Sequence, residues 1–247
     1  MTNLREKIIE KLSPDILKLL GNISEIAADY DADLFLVGGV VRDLLLGFPV
    51  DQDIDLVTTG NALVLADLIT GILGGKVVRY KKFKTVTIDF GGGHKIDLVT
   101  ARKEYYPYSG SLPQIEPSNL KEDLGRRDFS INALACSLDP ENYGHVIDYY
   151  KGQQDLTKKR IRVLHRNSFT DDPLRIIRAV RFEQRYSFKM ESETYELLTA
   201  AVQNRLINNV SLKRLKKELH LINNEPDPAV VKERLVALGV FSPDQLT

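Results

Sequence analysis

Leu-Phe-Leu-Val-Gly-Gly-Val-Val-Arg-Asp-Leu-Leu-Leu-Gly-Phe-Pro-Val-Asp-Gln-Asp-Ile-Asp-Leu-Val-Thr-Thr-Gly, residues 34–60, is the stretch whose reading decides the fold. Four apolar residues (Leu34–Val37) predict a strand. Gly38 and Gly39 predict a tight turn, Val40–Leu46 a short helix, and Asp53–Val57 a second strand. Side chains alternate along a strand, so Asp53 and Asp55 share one face while Ile54 and Leu56 pack on the other. Two adjacent carboxylates repel unless a cation sits between them. Mg²⁺ suits such a pair, because it takes one or two carboxylates together with the phosphates of a nucleotide. Backbone N–H groups at the start of the predicted helix attract phosphate, and Arg42 adds a forked donor. In this order the pieces point to a nucleoside-triphosphate site with Asp53 and Asp55 as metal ligands.

Working outward, residues 3–30 carry apolar side chains at helical spacing, split into two helices by Ser13-Pro14. A further helix is predicted over Asn61–Ile72, then strands near Lys76–Tyr80, Thr85–Phe90 and Lys95–Val99. Asp97 alternates with apolar neighbours and so lies on the polar face of the last of these. If that strand neighbours the one carrying Asp53 and Asp55, Asp97 becomes a third carboxylate, able to ligate metal or accept a proton. Residues 101–125 hold three prolines and two glycines and read as a long loop. Arg126-Arg127-Asp128-Phe129-Ser130-Ile131-Asn132-Ala133 follows, with Ile131–Leu134 read as helical. Two guanidiniums suit a triphosphate, and Asp128 suits ribose hydroxyls. After strands at Val146 and Ile161–Leu164 the pattern is helical throughout, which places a boundary near 165.

These motifs together resemble the class II nucleotidyltransferases, the tRNA CCA-adding enzymes and bacterial poly(A) polymerases, over roughly residues 30–220. The resemblance implies an α+β head, residues 1–165, with a mixed five-stranded sheet of the polymerase β-like kind. An all-helical neck, residues 166–247, follows. It implies catalytic residues Asp53, Asp55 and Asp97, with Mg²⁺ as cofactor. Nucleotide-binding positions are then Gly38, Gly39, Arg42, Arg126, Arg127, Asp128, Asn132, Asp172, Arg175, Arg178 and Arg181. The family's Glu-Asp-x-x-Arg pattern reads here as Asp171-Asp172-Pro173-Leu174-Arg175, with Asp171 in place of Glu. In the family the Asp and Arg of that motif act as a template for the incoming base. The chemistry agrees: a carboxylate only accepts hydrogen bonds and a guanidinium only donates them. Adenine and cytosine each offer an amino donor beside a ring acceptor, whereas guanine and uracil present the reverse. A buried mismatch is strongly rejected, so Asp172 and Arg175 predict use of ATP and CTP.

Arg175, Arg178 and Arg181 fall on one arc of a helix, opposite most of its apolar residues. Ser211 reads as the cap of a last motif that pairs Arg214 with Glu218 and buttresses the template helix. Residues 101–125 resemble the flexible loop that takes part in AMP addition in the family, so the resemblance implies competence for AMP. The expected activity is CCA addition to a tRNA 3′ end, followed in rank by A-only addition and poly(A) synthesis. A catalytically silent RNA-binding module is the reading from another class. Relatives continue into further helical domains, so the chain is expected to be a fragment or a compact relative.

Composition sets the outer limits. The chain has 247 residues, 43% hydrophobic and 28% charged, with zero formal net charge, which is ordinary for a soluble globular protein. It shows neither an apolar run of membrane-spanning length nor a signal peptide's apolar stretch. The single Cys136 excludes an internal disulfide and reads as a small core residue. Cytoplasmic location, no membrane and no disulfide-linked partner are the expectations. Charge is unevenly spread: residues 22–60 carry eight acids and one base, while 158–185 carry nine Lys or Arg and three acids.

Overall fold

Leu12 closes the first helix and Ser13 caps the next, its hydroxyl accepting from Ile16 N at 3.3 Å with Pro14 in the first turn. A computed structural model describes residues 2–50 and 53–245 without the side chain of Asp53. The Asp53 ligand assignment therefore lies outside the described residues. In chain order come α1 (Arg5–Lys11), α2 (Pro14–Asp29), β1 (Leu34–Val37), α3 (Gly39–Leu46), β2 (Asp53–Thr58) and α4 (Ala62–Leu73). β3 (Lys76–Tyr80), β4 (Thr85–Asp89), β5 (Lys95–Thr100), β6 (Arg102–Tyr105), β7 (Gln114–Pro117) and α5 (Leu120–Gly125) follow. Then come β8 (Ala135–Ser137), β9 (Val146–Ile147), α6 (Gly152–Thr157), β10 (Arg160–Ile161), α7 (Ser168–Asp171) and α8 (Leu174–Arg185). The last are β11 (Lys189–Met190), α9 (Ser192–Gln203), α10 (Leu212–Ile222) and α11 (Pro228–Ala237).

The α+β class holds. The main sheet has the order β3-β4-β5-β2-β1-β8-β9. Its first five strands are those the alternation predicts, and β8 and β9 extend it to seven. Only β2 and β5 run parallel; the other registers are antiparallel. Leu36, Leu56 and Leu98 are fully buried on β1, β2 and β5, each worth about 1.5–3 kcal/mol relative to exposure.

Two stretches differ from the reading. Residues 130–132 form a single 3₁₀ turn and lead into β8, not a helix. A short apolar run buried on both faces has no period to tell strand from helix, and β8 pairs with β1 at the buried centre. Residues 101–125 are not one loop, since β6, β7 and α5 occupy most of them. Asn119 caps α5 by accepting from Glu122 N.

The chain groups into two compact units. The first takes residues up to 103, 115–127 and 131–153; the second takes 104–114, 128–130 and 154 onward. The division is therefore not a single cut at 165. Segments 104–114 and 128–130 join the later helices through Gly110 N to Asp171 O, and through the bridge of Phe129 with Val163. Nor is the later part purely helical, for β11 pairs in parallel with β10. Among the described residues no helix is long and apolar enough to cross a membrane.

Cys136 lies in β8, fully buried and unpaired, and burial pushes its thiol up to about 12. At pH 8 only about one thiol in 10⁴ is then ionised, and the thiolate is the reactive form. Labelling by an aromatic disulfide is expected to be negligible in the native protein and to reach one equivalent in denaturant. Fast native labelling would contradict the packing of β8.

Candidate active site

β2 and β5 bring the acids together. Their register sets Asp55 opposite Asp97, so in parallel strands both carboxylates rise from one face. Asp55 is exposed and Asp97 half-buried. Thr87 on β4, also paired with Asp97, donates its hydroxyl to Asp97 Oδ1 at 2.5 Å. That bond holds the Asp97 side chain in place. Like charges directly opposite on a sheet destabilise it, which a bound cation would relieve.

The phosphate end is built at Gly38. Leu36 of β1 lies opposite Leu56 of β2, so the end of β1 runs alongside the start of β2 that carries Asp55. Gly38 leads into α3 with φ +70° and ψ −125° and has no side chain to cap it, leaving the first N–H groups of the helix open among the described residues. A Cβ on Gly38 would lie 2.7 Å from Arg127 Nη1. The absent side chain is what lets that guanidinium reach the helix start. Arg127 donates Nη2 to Asp123 at 3.1 Å, and its buried Nε has no hydrogen-bond partner among the described residues.

Gly38→Ala is expected to cost about 1–3 kcal/mol through backbone strain. Arg127 can swing away from the new methyl only by leaving the helix start, so ATP binding weakens as well. Thermal denaturation and ATP titration measure the two effects; unchanged affinity would remove Arg127 from the site.

Asp123 was missed at the sequence level. It is fully buried on α5 and holds both motif arginines, Arg126 by Nε and Nη2 and Arg127 by Nη2. Burial alone would raise its pKa, but the two guanidiniums overcome that and hold it below the ordinary carboxylate value. Its stabilisation is present above that ordinary value and is lost as pH falls through the lowered one. The signal was available as i,i+3 and i,i+4 spacing. Arg42 is buried too, and its fork goes to Asp43 through Nε and Nη2, with Nη1 on Asn132 Oδ1 at 2.5 Å. It is a fixed charge beneath Gly39 rather than the open donor expected.

The second unit holds the other predicted residues. Asp128 accepts from Phe129 N and from Arg178, whose Nη2 lies 2.6 Å away. Asp172 ends α7, and its Oδ1 accepts from Leu174 N and from Arg214 Nη2 at 2.9 Å. Arg175 is buried and donates to Ser168 Oγ at 2.7 Å. The arginine stripe of α8 does not face open solvent. Arg181 is buried between Glu218 and Glu225, and Arg185 also meets Glu225. Through these pairs the Arg181 donors join helices. Ser211 makes no side-chain cap, and Arg214 pairs with Asp172 instead of Glu218. Glu218 and Glu225 carried no local signal, because they meet α8 across 37 and 44 residues.

A family model described as the poly(A) polymerase head domain matches residues 34–162. The chain belongs to this family. Among curated relatives, an A-adding tRNA nucleotidyltransferase of Halalkalibacterium halodurans is 43% identical over 97% of this chain and 56% of its own length. One of Aquifex aeolicus, with the same description, is 46% identical over 77% of this chain and 23% of its own. The structure of a Thermotoga maritima CCA-adding enzyme complexed with tRNA superposes with a TM-score of 0.86 at 39% identity. It covers 97% of this chain and 54% of that one. The chain thus spans about half, or less, of the length of these relatives.

Proposed function

We propose that this chain is the catalytic part of a tRNA nucleotidyltransferase that transfers AMP from ATP to a tRNA 3′ end, with CMP added first from CTP. The observation that carries this reading is the in-register pair of Asp55 and Asp97 beside the uncapped start of α3. The donor set fits Mg²⁺, a hard cation that takes carboxylate oxygens, and Asp53 and Asp55 would hold it. When bound, the metal supplies Lewis-acid stabilisation of the phosphoryl oxygens. Asp97, fixed by Thr87, accepts the proton of the terminal 3′-hydroxyl. The new bond joins that oxygen to the α-phosphorus as the bond to the β-phosphate oxygen breaks and pyrophosphate leaves. The open N–H groups of α3 and the Arg127 guanidinium, whose Nη1 reaches the helix start at Gly38, hold the triphosphate. Asp172 and Arg175 read the base edge, which admits ATP and CTP.

A second reading, A-only addition, is favoured by the description of the Halalkalibacterium and Aquifex relatives as A-adding. Sequencing the products from tRNA ending at CC, and from tRNA ending at the discriminator base, separates the two. AMP on the first substrate is common to both readings; CMP on the second supports CCA addition. No extension of either, alongside measurable tRNA binding, would favour a catalytically silent module. Asp172→Asn is expected to reduce the preference for ATP over GTP by about 10–100-fold, from the ~1–3 kcal/mol of one mismatched buried hydrogen bond. Competitive incorporation measures this, and an unchanged ratio would remove Asp172 from the base template.

A further inference from the structure

Nine basic residues crowd residues 158–185, and the fold sorts them into two groups. Arg162 pairs with Asp155, Arg166 with Glu193, Arg178 with Asp128 and Glu218, Arg181 with Glu218 and Glu225, and Arg185 with Glu225. Arg175 is buried against Ser168. Lys158, Lys159 and Arg160 are left, all exposed and without an ion pair among the described residues. The parallel pairing of β10 with β11 adds a fourth cation, since Arg160 lies opposite Lys189 and Lys189 N donates to Lys159 O. Two turns, with Lys159 at φ +52° and Ser187 at φ +51°, are thereby clamped side by side. Together they line a concavity of about 470 Å³ with Ser187 and Ser192. Its one carboxylate, Glu191, is turned inward to cap α9 through Thr194 N.

We propose that this basic concavity binds the sugar-phosphate backbone of the RNA substrate. Resting on the nucleotidyltransferase reading, it names where the second unit grips its polymer. Four cations with no ion-pair partner among the described residues form a sequence-independent polyanion site. An RNA backbone fits better than a membrane surface, because the patch is concave and its one apolar lining residue, Met190, is half-buried.

The test is the triple variant Lys158→Gln, Arg160→Gln, Lys189→Gln. Lys159, at the left-handed turn, is left unchanged. Binding of tRNA ending at CC is measured from 50 to 300 mM KCl, and AMP addition to it at varied tRNA. Loss of three phosphate contacts is expected to flatten the slope of log affinity against log salt by about 2–3. KM for tRNA should rise at least tenfold, with kcat and ATP binding unchanged. A triple variant with the wild-type slope and KM would overturn this surface and leave the nucleotidyltransferase reading intact. Wild-type protein that neither binds nor extends tRNA would overturn both. Loss of binding to phosphatidylserine vesicles with tRNA binding intact would assign the patch to lipid and overturn the proposal.

Discussion

Asp55→Ala is expected to lower AMP incorporation by about 10³-fold or more while the protein stays folded. The metal's charge stabilisation of a transferring phosphoryl group amounts to several kcal/mol, and three powers of ten correspond to about 4 kcal/mol. Asp55 is exposed on β2 and faces Asp97 across the register, so its removal opens no cavity. It also deletes one of two opposed like charges, a change of about 0.2–1 kcal/mol in favour of the fold. Metal-free Asp55→Ala should therefore keep a cooperative melt close to the wild-type temperature. Activity is then lost while the fold is kept, which global unfolding cannot imitate. The readouts are labelled ATP with tRNA ending at CC, and a thermal melt with and without Mg²⁺. A folded variant retaining a tenth of wild-type activity would sink the assignment of Asp55 to the metal.

Glu225→Gln is expected to destabilise the helical unit by about 3–5 kcal/mol, the range for breaking a buried ion pair from one side. The Glu225 side chain is 1% exposed and accepts from Arg181 Nε at 2.7 Å and from Arg185 Nη2 at 2.6 Å. The amide cannot balance two guanidiniums. Arg185, at 30% exposure, can turn to water, but Arg181, at 7%, cannot. The double variant Arg181→Met, Glu225→Gln should recover little of the loss, because Glu218, the other partner of Arg181, then loses its 2.8 Å ion pair. Urea denaturation followed by circular dichroism gives both values. A loss below 1 kcal/mol would mean that water reaches Arg181.

Much of the first unit was legible in residue order because its information is local. Alternation along Leu34–Val37, Asp53–Val57 and Lys95–Val99, glycines at the turn, and Ser13 before Pro14 each act within a few residues. The same alternation puts Asp55 and Asp97 on polar faces. Their meeting depends on the parallel β2–β5 register, which is set by strand order and is a tertiary fact.

The arginines mark the other limit. Helical periodicity places Arg175, Arg178 and Arg181 on one arc of α8, and nothing local distinguishes a guanidinium waiting for phosphate from one bound to a carboxylate. Packing decided it by carrying Asp128, Glu218 and Glu225 to that arc from 37 to 50 residues away. The short strand β8 was hidden for a related reason, since a run buried on both faces has no alternation to read. Sequence by itself determined the family, the element types and the polar faces, because these rest on neighbours along the chain. Tertiary structure alone decided which charges are paired and which stay open, because a charge is neutralised by whatever the fold brings beside it.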